Sequence, residues 1–92
     1  MKTCRELEIQ DLITEKLLKR DIYPFSVIFS YLGKKDYLGL LSITFYVPQQ
    51  IYQVLDLLDY KYECDKSGYL IFDETNTLMF YGLALMKLID KL

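Results

Sequence analysis

The sequence contains no histidine and no tryptophan, and among its 92 residues only two cysteines, two prolines and four glycines. Without histidine, Ser-His-Asp and Cys-His catalysis, imidazole proton shuttles and His-based metal sites have no residue to work with. Cys4 and Cys64 stand singly, with no CxxC spacing, so neither a zinc site nor, in a reducing compartment, a disulfide is expected. Gly33, Gly39, Gly68 and Gly82 fit neither GxGxxG nor GxxxxGK, which leaves no phosphate-binding loop. Few Gly and Pro together with 52% hydrophobic residues exclude a disordered or low-complexity chain.

A strong charge of either sign is also missing. The net charge of −2 and pI near 5.0 provide no broad basic face for neutralising phosphates. Between residues 49 and 77 the acidic Asp56, Asp59, Glu63, Asp65, Asp73 and Glu74 outnumber Lys61 and Lys66, a mildly acidic surface well short of a nucleic-acid mimic. The uncharged runs are broken by Pro48 or fall short of the roughly 20 apolar residues a membrane span needs. The first ten residues carry Arg5, Glu6 and Glu8 where a secretory signal requires an apolar run, so a cytoplasmic protein without a membrane partner is expected.

What the chain does have is Tyr (nine), Phe (five) and two long apolar runs on either side of Gly33-Lys34-Lys35-Asp36. Val, Ile, Phe, Tyr and Thr suit a pleated, partly buried surface, so residues 25–47 are expected to form a hairpin. Pairing Leu32 with Tyr37 puts Val27, Phe29 and Tyr31 on one face with Leu38 and Leu40, and Ile28, Ser30 and Leu32 on the other with Tyr37, Gly39 and Leu41. Both faces are then largely apolar. One is expected under the protein's own helices, and the other needs more of the chain or a partner.

Helices flank the hairpin. Thr3 and Glu6 have capping-box spacing, and Ile9, Leu12, Ile13 and Leu17 follow as one helical stripe, with Glu8, Asp11, Glu15 and Lys19 turned away and an end near Asp21. After Pro48, Ile51, Val54, Leu55 and Leu58 repeat at i, i+3, i+4, i+7. Tyr52 and Leu57 fall off that stripe, either as shoulders of the core or as exposed contacts. In the C-terminal third, Asp65-Lys66-Ser67-Gly68 and Asp73-Glu74-Thr75-Asn76 each end on a residue that tolerates left-handed backbone. They divide residues 60–64, 69–72 and 77–81 into a three-stranded meander. A rival reading runs one helix from Glu74 to Lys91, but it puts Gly82 in mid-helix and makes the helix apolar all round. In both readings Leu85, Leu88, Ile89 and Leu92 share a helical face.

The expected fold is therefore one α+β domain over residues 1–92, in the order α-β-β-α-β-β-β-α, with an antiparallel sheet of about five strands and helices packed on it. That order resembles the small dimeric scaffolds of the roadblock and longin type and, more distantly, acidic type III secretion chaperones. The resemblance is one of topology and carries no motif.

Asp56 with Asp59 sits at i, i+3 on a solvent face and Asp73 with Glu74 in a turn, while Cys64 at a strand end suits a core thiol, so no catalytic constellation, cofactor or metal is expected. A protein-binding role is expected instead: a cytoplasmic adaptor or inhibitor, as a homodimer, with Tyr31, Lys34, Lys35, Tyr37, Tyr52 and Leu57 as candidate partner-binding residues. The alternative is single-stranded nucleic-acid binding by Lys34 and Lys35 with Tyr31 and Tyr37 beside them, extended by Lys16, Lys19 and Arg20. Two lysines at a hairpin tip serve equally well to keep an edge from aggregating.

Overall fold

The computed structural model describes residues 3–31, 39–60 and 68–92. The chain runs α1 (Cys4–Leu18), β1 (Pro24–Tyr31), β2 (Gly39–Phe45), α2 (Gln49–Leu57), β3 (Tyr69–Phe72), a 3-10 turn (Asp73–Thr75), β4 (Thr77–Tyr81) and α3 (Gly82–Lys91). The class is α+β, as expected. The antiparallel sheet has four strands in the order β1-β2-β4-β3. The additional strand expected over residues 60–64 lies outside the described residues except for Tyr60, which belongs to no strand.

Local chemistry sets the element ends. The Thr3 hydroxyl accepts from the Glu6 N–H at 3.1 Å and Glu6 Oε1 accepts from the Thr3 N–H at 2.8 Å, which closes the capping box at the start of α1. Ile13 and Leu17 are buried on this helix, but Leu12 is 45% exposed. Each residue turns the helix by about 100°, which carries Leu12 out of the buried row of Glu6, Ile13 and Leu17. Pro48, with φ −65°, leads into α2 with the backbone angle a helix requires.

The C-terminal third is strand and helix, not one helix. Asn76 adopts the left-handed conformation (φ 53°) that closes the turn of residues 73–76, and β4 then pairs with both β2 and β3. Gly82 (φ +58°) makes the corner from β4 into α3. The run that looked apolar all round is a central strand with Leu78 and Phe80 inward, followed by a helix with Ala84, Leu85 and Leu88 inward.

The hairpin register differs by one residue from the one expected. Tyr31 pairs with Gly39, Phe29 with Leu41 and Val27 with Ile43. A slip of one residue exchanges the two faces of a strand. Leu41, Ile43 and Phe45 therefore join Val27, Phe29 and Tyr31 on the inner face, and Leu40 moves to the outer one. At the inward position of Gly39 an added Cβ would overlap the Phe29 ring, so any larger residue there displaces that ring.

A single core unites the layers. It gathers Ile13 and Leu17 of α1, Ile51, Val54 and Leu55 of α2, and Ala84, Leu85 and Leu88 of α3 with inward residues of the strands such as Phe29, Leu41, Ile43, Tyr69, Leu78 and Phe80. No outward sheet residue belongs to it, so all three helices cover the same face. Along the β1 edge, α1 also supplies polar groups. The Phe29 N–H donates to Gln10 Oε1 at 3.0 Å and the Tyr31 N–H donates to Glu6 Oε2 at 2.8 Å. Side chains here take the place of a further strand.

Candidate functional site

The sheet face turned away from the helices is a continuous surface formed by all four described strands. Cross-strand pairs place its residues in rows: Ile28, Ser42, Met79 and Leu70 across the middle, and Ser26, Thr44, Thr77 and Phe72 beside them. A third row brings Ser30, Leu40 and Tyr81 together. Ile28, Leu70 and Phe72 are 47%, 49% and 44% exposed. At the adjoining end, where β1 begins and β2 finishes, Phe25 and Tyr46 meet edge to face with ring centroids 5.4 Å apart, each 64% exposed.

The face is polar without being charged. None of its outward positions carries Asp, Glu, Lys or Arg. Its hydroxyls partly satisfy one another: Thr44 Oγ1 and Thr77 Oγ1 lie 3.0 Å apart, and the Thr75 hydroxyl donates to Thr77 Oγ1 at 2.8 Å. An antiparallel sheet with one side in water ordinarily carries a polar outer set, so the uncharged mixture of aliphatic, aromatic and hydroxyl groups departs from that pattern.

The candidate residues do not converge on one place. Tyr31 points to the helix side, its ring 5.1 Å from Phe29 in a T-shaped contact. There it lines a cleft of about 260 Å³ between α1 and α3, with Ile9, Leu85, Met86 and Ile89 as apolar walls and Arg5 as the charged member. Tyr52 is exposed on α2, and Leu57 packs against the core as a shoulder residue. Lys34, Lys35 and Tyr37 lie outside the described residues, as does Cys64.

Ile28, Leu70, Phe72 and Met79, the apolar members of the open face, were not among the candidates. A signal for them was present in the sequence. Ser26 and Ser30 share one parity in the first strand, Ser42 and Thr44 share one parity in the second, and the observed register, unlike the expected one, brings all four to a single face.

Other clusters serve the fold. Tyr60 stacks on Tyr69 at 4.8 Å, and Lys87 Nζ sits 4.6 Å from the Tyr60 ring centroid, tying the end of α2 to β3 and α3. A hollow of about 410 Å³ is lined by the consecutive residues Ile71, Phe72, Asp73, Glu74 and Thr75, and is the crease of the β3 turn itself. Among the described residues, no three of Cys, Asp and Glu gather into a metal-binding group, and no helix is long and apolar enough to cross a membrane. The chain matches no family model, no curated protein and no solved structure.

Proposed function

We propose that this chain is a non-catalytic protein-binding domain, a small cytoplasmic adaptor or inhibitor, and that it binds through the open face of its sheet. The observation that carries this reading is the half-exposure of Ile28, Leu70 and Phe72 on one continuous, uncharged face opposite all three helices. Fully burying such a side chain is worth about 1.5–3 kcal/mol, so completing the burial of these three contributes on the order of 3 kcal/mol. The absence of histidine supports a binding role over a catalytic one.

Photo-crosslinking tests this directly. A benzophenone amino acid replaces Met79 in the middle of the face or, as a control, Asp11 on the exposed side of α1. Irradiation in cells that make the protein is expected to give discrete protein adducts from position 79 and few from position 11. A lack of adducts at position 79, with the variant folded, would remove the open face as the binding surface.

A further inference from the structure

We infer that the first two turns of α1 form a releasable strap over the β1 edge, latched by the ionised Glu6 side chain and opened when that carboxylate takes up a proton. The strap lies on the helix side and is independent of the open sheet face.

α1 is anchored unevenly. Its buried apolar residues, Ile13 and Leu17, both lie in the second half, whereas over residues 4–10 Leu7 is exposed, Ile9 is only partly buried and the one buried residue is Glu6, 9% exposed. A segment with so little apolar burial opens at small cost once its polar contacts go.

Those polar contacts share a pattern. Glu6 Oε1 accepts from the Thr3 N–H and Glu6 Oε2 from the Tyr31 N–H, each at 2.8 Å, while Gln10 Oε1 accepts from the Phe29 N–H at 3.0 Å. Phe29 and Tyr31 are alternate residues of one edge, so Glu6 and Gln10 stand where the carbonyls of a neighbouring strand would. Lifting the strap bares two backbone donors.

The latch holds only when Glu6 is charged. An ionised carboxylate offers an acceptor at both oxygens, whereas a protonated one carries a hydroxyl at one of them, so two N–H donors can no longer both be served. The bond that remains also loses its charge assistance. Protonation therefore breaks the link to the helix cap or the link to the strand, and the first turns lift while Ile13 and Leu17 keep the rest of α1 in place. The strap is closed while Glu6 is ionised and opens as pH falls. Around this end of α1 the described charged and titratable groups are Cys4, Arg5 and Glu8 on the helix and Tyr31 on β1; Gly39 of β2 and Leu85, Met86 and Ile89 of α3 bring none. Arg5 and Glu8 pair with each other at 3.6 Å, both well exposed.

Amide hydrogen exchange of the full chain, read by NMR, tests the strap, with protection at each pH taken relative to an unstructured peptide. Glutamate in peptides titrates at about pH 4.3, so measurements at about pH 7 and about pH 3 bracket it. Between them the wild-type protein is expected to lose about tenfold or more of its protection at Tyr31, as a bond to a charged acceptor goes, while Ile43 in mid-sheet stays protected. Glu6→Gln has no charge at any pH and one acceptor oxygen; it is expected to show the low Tyr31 protection already at neutral pH and to have no pH dependence there. Glu8→Gln, which removes the nearest other carboxylate of α1, is expected to behave as wild type. Should Glu6→Gln fail to fold, the wild-type Tyr31 amide resonance is expected to move together with that of the Glu6 carboxyl carbon as pH is lowered.

A Tyr31 amide that keeps its protection in acid, or loses it only together with Ile43, would overturn the inference. So would full Tyr31 protection in Glu6→Gln at neutral pH, a pH dependence that survives that substitution, or a Tyr31 resonance indifferent to the Glu6 carboxyl.

Discussion

The two faces of this sheet are built from the same strands and carry different chemistry. The inner face presents Val27, Phe29, Leu41, Ile43, Leu78 and Phe80 with no Ser or Thr among its positions, and it is sealed by three helices. Its opposite alternates Ile28, Leu40, Leu70, Phe72 and Met79 with Ser26, Ser30, Ser42, Thr44 and Thr77. Neither face has a charge. The comparison teaches that hydroxyl content, not charge, separates core from surface here, and that the outer face lies between the two in character. It is polar enough to face water and apolar enough to gain by being covered.

Neighbouring residues of β4 give the largest test of that contrast. Phe80, fully buried, and Met79, its neighbour on the opposite face, are adjacent in sequence. Phe80→Ala is expected to lower stability by about 3–5 kcal/mol, through lost burial and the cavity left behind. Met79→Ala is expected to change it by less than about 1 kcal/mol, the range of substitutions at surface sites. Urea denaturation monitored by circular dichroism reads both, and similar losses from the two would break the distinction between the faces.

An intermediate effect is expected where α1 meets the β1 edge. Glu6 accepts from the Thr3 N–H with one carboxylate oxygen and from the Tyr31 N–H with the other. Glu6→Ala leaves both donors unpaired and is expected to cost about 1–3 kcal/mol. Glu6→Gln keeps one carbonyl acceptor and should cost less. Amide hydrogen exchange at Tyr31, faster in Glu6→Ala and little changed at Ile43 in mid-sheet, locates the effect at the edge.

The smallest effect sharpens the comparison most. Thr44→Val replaces one hydroxyl of the outer face with a methyl group, while Thr77 keeps its bond from Thr75. Stability is expected to move by less than about 1 kcal/mol, since both partners of one weak bond are accounted for. Binding at the open face, read by the yield of protein adducts from the crosslinker at position 79, is expected to rise a few-fold as the face becomes more like the inner one. A lower yield would show that the hydroxyls contribute to recognition themselves.

Much of this architecture was legible from side-chain spacing. Thr3 and Glu6 announced the first helix, Ile51, Val54, Leu55 and Leu58 the second, and the Asp73 to Asn76 turn chemistry separated Tyr69–Phe72 from Thr77–Tyr81. These are local signals, because caps, turns and helical stripes act within a few residues. The candidate site was far less legible. Tyr31 was singled out as a binding residue, yet it packs on the helix side, since its direction depends on a register set by distant contacts. Leu12 likewise matched a helical stripe and still lies outside the core, because the width of that stripe is decided by what packs on it.

By itself, then, the sequence determined the α+β class, the order of the described elements and the absence of any histidine chemistry, all matters of residue type and short-range spacing. Tertiary structure alone decided the pairing of Tyr31 with Gly39, and hence which strand residues lie under the helices and which apolar residues were left in view. The physical reason is the two-residue period of a strand. Local propensity is unchanged by a slip of one residue, whereas every side chain changes sides, so only the long-range contacts that bury Phe29, Leu41 and Ile43 together can choose.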